Sequence, residues 1–105
     1  MLIVYGEVIA MLRELLPVIV EIERRDGDLG RQMRRAGSSV ALNCSEAQGS
    51  RGKNQQLRFS TALGSMRETM ACLDVAGAFG YTQAVDGAVA KRMDRTCGML
   101  YRLSR

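Results

Sequence analysis

A chain of 105 residues has room for one continuous hydrophobic core and not for two independent ones. Hydrophobic residues make up 47% and charged residues 25%, which excludes a disordered tail, and one proline, no tryptophan and five aromatic residues argue against a twisted sheet. The charge of +4 is unevenly spread: residues 1–30 carry −3, residues 31–67 carry +6 and residues 68–105 carry +1.

The helical pattern begins at the first residues. A helix is predicted over Leu2–Arg25, with Leu2, Tyr5, Ile9, Leu12, Leu16 and Ile19 on one stripe and Val4, Val8, Met11, Leu15, Val18 and Ile22 on the next. That apolar arc is wider than the ~100° of an ordinary surface helix. Pro17 lies inside the pattern and is expected to kink it. Glu7, Arg13, Glu14 and Pro17 also interrupt the apolar run before it reaches the ~20 residues of a membrane span, so a soluble protein with no membrane partner is expected.

Asp26, Gly27 and Asp28 break the first helix and offer an N-cap for a second over Leu29–Gln48. Leu29, Met33, Ala36, Val40, Cys44 and Ala47 give it one apolar face. Gly49, Ser50, Arg51 and Gly52 form a short connector, and a third helix is predicted over Lys53–Ala78 with Phe59, Leu63, Met66, Met70, Leu73 and Gly77 inward. Gly64, Ala71 and Ala78, with Leu57 and Val75 nearby, make a second groove of small side chains on that helix. Gly80 fits a left-handed cap and Thr82 an N-cap for a fourth helix, with Val85, Val89, Met93, Thr96, Leu100 and Leu103 inward.

Four helices on short connections make a single domain, residues 1–105, of the all-α class, folded as an antiparallel up-down-up-down four-helix bundle. The first and third helices carry more apolar surface than a monomer needs, so a homo-oligomer is expected. Met1–Tyr5 lack the basic leader and cleavage site of a signal peptide, and Cys44, Cys72 and Cys97 are odd in number and scattered; the expected location is cytoplasmic, with reduced core thiols.

Chemistry is sparse. The chain has no histidine, which removes the usual general base and the commonest metal ligand, and no cysteine pair at ligand spacing. Gly49-Ser50-Arg51-Gly52-Lys53 has neither the spacing nor the preceding strand of a phosphate loop and reads as a connector. A non-enzymatic protein is expected, with no catalytic residue, metal or cofactor. The polar residues that stand out are arginines and their companions. Arg35, Asn43, Glu46, Arg58 and Glu68 are read as a network that fixes helix register, while Arg31, Arg34, Arg51 and Lys53 are the candidate contacts to nucleic-acid phosphates. Thirteen of the fifteen cations are arginine, whose planar fork suits carboxylates and phosphates equally, so an acidic protein partner is the alternative.

At these residues the sequence resembles the four-helix-bundle family named after the protein encoded in bacterial 23S rRNA intervening sequences. The run Arg34 to Arg51 resembles the family's Arg-Arg-Ala, Asn-x-x-Glu and Gly-x-Arg pattern, through Arg34, Arg35, Ala36, Asn43, Glu46, Gly49 and Arg51. Arg58, Phe59, Ala62, Gly64, Ser65 and Glu68 resemble its second block, and Gly80-Tyr81 the usual end of helix three. The sequence departs at Ala41, where the family often has proline, and at Ala47, where it often has glycine, changes that should straighten helix two. The resemblance implies a bundle frequently assembled as a homopentamer, without an established enzymatic activity. Through a related branch, the accessory variability protein of diversity-generating retroelements, it also implies RNA or DNA as a partner.

Overall fold

In a computed structural model, which describes residues 3–105, four helices follow in chain order: α1 (Ile3–Arg25), α2 (Gly27–Gln48), α3 (Gly52–Ala78) and α4 (Gly87–Leu103). Their boundaries have local causes. Asp26 turns into extended backbone after α1 and accepts a hydrogen bond from the Leu29 N–H at 3.1 Å, satisfying one of the free donors of the first turn of α2. Gly80 adopts a positive φ of 74° just past α3, where a side chain would be strained. The chain then closes with Tyr81 N–H on the Ala76 carbonyl at 2.9 Å and Gly80 N–H on the Gly77 carbonyl at 3.1 Å, the two bonds of a Schellman motif.

Thr82 does not start the fourth helix. Asp86 does, its carboxylate accepting from the Ala88 N–H at 2.7 Å, four residues later than the sequence suggested. A carboxylate at the cap opposes the positive helix end, which a hydroxyl cannot do. Val85, just before the cap, and Ala90, four residues after it, hold the positions of a hydrophobic staple and line one recess with Met70, Leu73, Asp74, Met93 and Asp94.

Each helix packs against two neighbours in a closed cycle, α1 on α2, α2 on α3, α3 on α4 and α4 on α1, with α1 and α3 across the diagonal. The directions alternate. Residue pairs that meet between α2 and α3, Ser39 with Ser65 and Glu46 with Arg58, move oppositely along the two helices, as do Leu12 with Gly37 and Glu23 with Gly30 between α1 and α2. The expected antiparallel bundle is therefore the fold, extending 42 × 26 × 19 Å. One end holds the α2–α3 connector, the start of α1 and the end of α4; the opposite end holds the α1–α2 junction and the 79–86 loop.

Of the two α1 stripes, the one beginning at Val4 is the core: Val4, Val8, Met11, Leu15 and Ile22 are buried, joined by Ile19, while Tyr5, Ile9 and Leu12 are half-buried and Leu16 is exposed. Leu2 lies outside the described residues. The helix runs unbroken through Pro17, which faces solvent. On α3 Phe59, Leu63 and Met66 of the expected stripe are buried and Met70 and Leu73 are half-buried against the core, but further along Thr69, Cys72 and Ala76 are the fully buried positions and Gly77 is exposed. Leu103, expected inward on α4, is exposed, and Val85 lies before the helix. Cys44 and Cys72 are buried core residues, and burial pushes the Cys44 thiol up to about 11.

The α1–α2 contact includes two glycines at which a side chain has no room. A Cβ on Gly30 would stand 2.3 Å from Glu23 Cγ and 2.9 Å from its Cα, and one on Gly37 would stand 2.8 Å from Leu12 Cδ2. Replacing Gly30 with Ala should push the helices apart and cost ~1–3 kcal/mol, seen as a lower Tm. Gly77→Ala, on the open side of α3 where nothing lies within 4 Å, should raise stability by ~0.5–1 kcal/mol through helix propensity.

Candidate nucleic-acid interface

The middle of the sequence is basic, but tertiary packing neutralises part of it. Arg34 sits where α2 crosses α1 and donates two hydrogen bonds to the Glu23 carboxylate, Nε at 3.0 Å and Nη2 at 2.9 Å. This parallel fork is the strong geometry for an arginine–carboxylate pair. It holds the Glu23 carboxyl below the usual carboxylate range and raises the Arg34 guanidinium further. Arg31 pairs with Asp28 one turn back on its own helix. Two of the four candidate phosphate contacts, Arg31 and Arg34, thus already face acids.

Arg51 and Lys53 are exposed, and among the described residues no carboxylate pairs with either. Arg51 occupies the N-cap position of α3 without a side-chain cap bond, and the first turn of that helix has no acid. Helix starts normally recruit such groups because their N–H donors point outward unpaired and carry partial positive charge. Here two cations stand at an uncapped positive helix end. Gln56, one turn further, donates to the Arg105 carbonyl at 3.0 Å, which ties the end of α4, the segment carrying Arg102 and Arg105, to α3 near its start. Both are exposed and free of carboxylate partners among the described residues.

The residues expected to fix register divide. Arg58 and Glu46 form an ion pair at 2.9 Å between α3 and α2, with side chains 49% and 55% exposed. Asn43 donates to the Ser39 carbonyl at 2.9 Å and to its hydroxyl at 3.1 Å, and that hydroxyl meets Ser65 of α3 at 2.7 Å. Arg35 and Glu68 line a common recess with Asp28, Arg31 and Gln32 but make no ion pair with each other. Arg34, Arg35, Ser38, Leu42, Asn43, Glu46 and Arg58 border the open depression along α2, about 580 Å³, with Leu42 projecting into solvent.

A stronger ionic seam escaped the sequence reading. Glu7 and Glu14 of α1 both reach Arg92 of α4, and Glu7 also meets Arg95 at 3.3 Å. The Arg92, Glu7 and Glu14 side chains are only 29%, 20% and 31% exposed. Two acids seven residues apart in an apolar helix were the available signal: they share a face, and a face with acids against the core needs cations opposite. Arg102 and Arg105 carried no such signal, since about fifty residues separate them from Arg51 and Lys53.

The fold and charge pattern define a small all-α protein, a four-helix bundle with one basic end. The sequence model described as 23S rRNA-intervening sequence protein matches residues 2–102, and the chain belongs to that family. Neither the curated proteins nor the solved structures compared with the chain gave a match. Among the described residues no helix is long and apolar enough to cross a membrane, and no group of three or more acids, cysteines or histidines is arranged to hold a metal ion.

Replacing Arg92 with Ala should leave the partly buried Glu14 carboxylate without its cation and Glu7 with Arg95 alone, and cost ~1–3 kcal/mol, whereas Arg58→Ala, in an exposed pair, should cost less than ~1 kcal/mol. Thermal melts at one protein concentration separate the two. Because Arg34 lowers the Glu23 pKa, that pair supports the fold above the ordinary carboxylate range and is lost as pH falls through the depressed value. Arg34→Gln should therefore flatten the acid limb of a Tm-against-pH curve.

Proposed function

We propose that this chain is a non-enzymatic subunit of a homo-oligomer that binds RNA or DNA through backbone phosphates at its basic end. The observation that carries the reading is that Arg51 and Lys53 stand without carboxylate partners, among the described residues, at the uncapped start of α3, and that Gln56 of the same helix holds the end of α4, the segment carrying Arg102 and Arg105. Cations beside free backbone donors suit phosphate oxygens, which accept from both. Self-association is supported by α1 and α3 on opposite sides of the bundle. Outward on α3 lie Leu57, Gly64, Ala71, Val75 and Ala78, all exposed, and outward on α1 lie Ile3, Leu16 and Pro17. Two different apolar faces on opposite sides of one protomer can join head to tail and close a ring; five is the number that the family resemblance implies.

The alternative is an adaptor that binds another protein. It draws on the α2 depression, where Leu42, 63% exposed, stands among Arg34, Arg35 and Arg58. An apolar knob among arginines suits a peptide with acidic and apolar side chains better than a phosphate backbone.

Light scattering on a size-exclusion column tests both arms. The wild type should elute as an oligomer that shifts with added RNA or DNA at low salt and releases it at moderate salt. Arg51→Glu with Lys53→Glu should abolish the shift while far-UV helicity is unchanged, and Arg31→Glu, whose side chain already pairs with Asp28, should weaken it less. Ala71→Glu should yield monomer. A wild-type monomer, or an oligomer indifferent to both nucleic acids, would overturn the corresponding half of the proposal.

A further inference from the structure

The basic end carries an aromatic residue that the charge pattern does not call for. Tyr101 lies one residue before Arg102 on the last turn of α4 and its side chain is 46% exposed. The other aromatic residues are placed differently. Phe59 is buried, Tyr5 and Tyr81 are half-buried, and the exposed Phe79 sits at the opposite end, its ring 5.6 Å from that of Tyr81. Arg105 lies over the Tyr101 ring, its guanidinium carbon 5.1 Å from the centroid, and donates to the Tyr101 hydroxyl at 3.1 Å. Even with that cation in place, nearly half of the side chain remains in contact with solvent.

We propose that Tyr101 is a base-stacking platform and that the basic end takes single-stranded RNA or DNA in preference to a duplex. The inference rests on the phosphate-binding reading above and adds the form of nucleic acid. An exposed tyrosine beside Arg102 and Arg105 supplies the two parts that unpaired strands use: cations along the phosphates and a flat apolar ring under a base. In a duplex every base face is already stacked on its neighbours, and a single ring on a convex helix end cannot reach one. Arg105 is itself planar and already held against the ring, so a base can either displace it or extend the stack.

Fluorescence anisotropy with a labelled oligothymidylate and a duplex of equal length, at low and moderate salt, tests the proposal on the full chain. The wild type should prefer the single strand. Tyr101→Ala should lower single-strand affinity about 10-fold and leave duplex affinity unchanged, the size expected for one lost stacking contact, while Tyr101→Phe should retain it. Arg51→Glu with Lys53→Glu should lower affinity for both forms. Because the chain has no tryptophan, its intrinsic emission comes from tyrosine, and the single strand should quench it in the wild type and less in Tyr101→Ala. Equal affinity for both forms with no effect of Tyr101→Ala would overturn the stacking role and leave the phosphate reading standing. Failure of the wild type to bind either form would overturn both. Far-UV helicity of each variant checks that the bundle is intact.

Discussion

The close approach of α1 and α2 is the constraint on which the rest of the charge distribution depends. Gly30 and Gly37 let the two backbones come together where even a methyl group would collide with Glu23 or Leu12. That approach carries the acidic end of α1 onto the first half of α2 and lets Glu23 take the Arg34 fork. It also fixes which α1 stripe is core, because Val4, Val8, Met11 and Leu15 must then face the bundle axis while Ile9 and Leu12 lie along the α2 side. Packing at this seam is shape-limited, and the ion pair follows from it.

Charge is therefore sorted along the length of the molecule. Five of the six acids of the first thirty residues are paired with arginines of α1, α2 and α4: Glu21 with Arg24 and Arg25, Glu23 with Arg34, Asp28 with Arg31, and Glu7 and Glu14 with Arg92. What positive charge remains without a carboxylate partner includes the group around the α2–α3 connector, far from the α1–α2 junction. A modest net charge of +4 can still present a locally strong field when its acids and its unpaired cations are segregated in this way. The α1–α4 seam matters for the same reason. By holding α4 against the early turns of α1 through Glu7 and Arg95, it sets how far the end of α4 reaches toward the connector.

Much of the fold was legible because short-range patterns dictate it. The α2 stripe from Met33 to Ala47 is buried as its spacing required, and Gly80 caps α3 with the positive φ that its residue type permits. The misplacements have physical causes. Thr82 and Asp86 are both competent caps, and the later one is used, with its carboxylate on the Ala88 N–H and with apolar residues, Val85 and Ala90, at the flanking staple positions. The α3 stripe rotates because a long helix at 3.6 residues per turn drifts relative to a fixed neighbour, burying Thr69, Cys72 and Ala76, leaving Met70 and Leu73 at the core's edge and turning Gly77 outward. Arg35 and Glu68 share residue type and face with Arg58 and Glu46, yet only the latter pair meets, since an ion pair needs facing positions at one level and not merely adjacent helices.

The sequence by itself determined the helices, their order and the antiparallel bundle, because periodicity, caps and connector length act within a few residues of each other. It also marked the basic middle segment and, through the blocks around Asn43, Glu46, Arg58 and Glu68, the family to which the chain belongs. Tertiary structure alone decided which arginines are spent. Arg34 meets Glu23 across eleven residues of sequence, Arg92 meets Glu7 across eighty-five, and Gln56 holds the Arg105 carbonyl across nearly fifty. The physical reason is that charges act through space: whether a cation is free depends on what the fold places beside it, and no local pattern in the chain contains that distance.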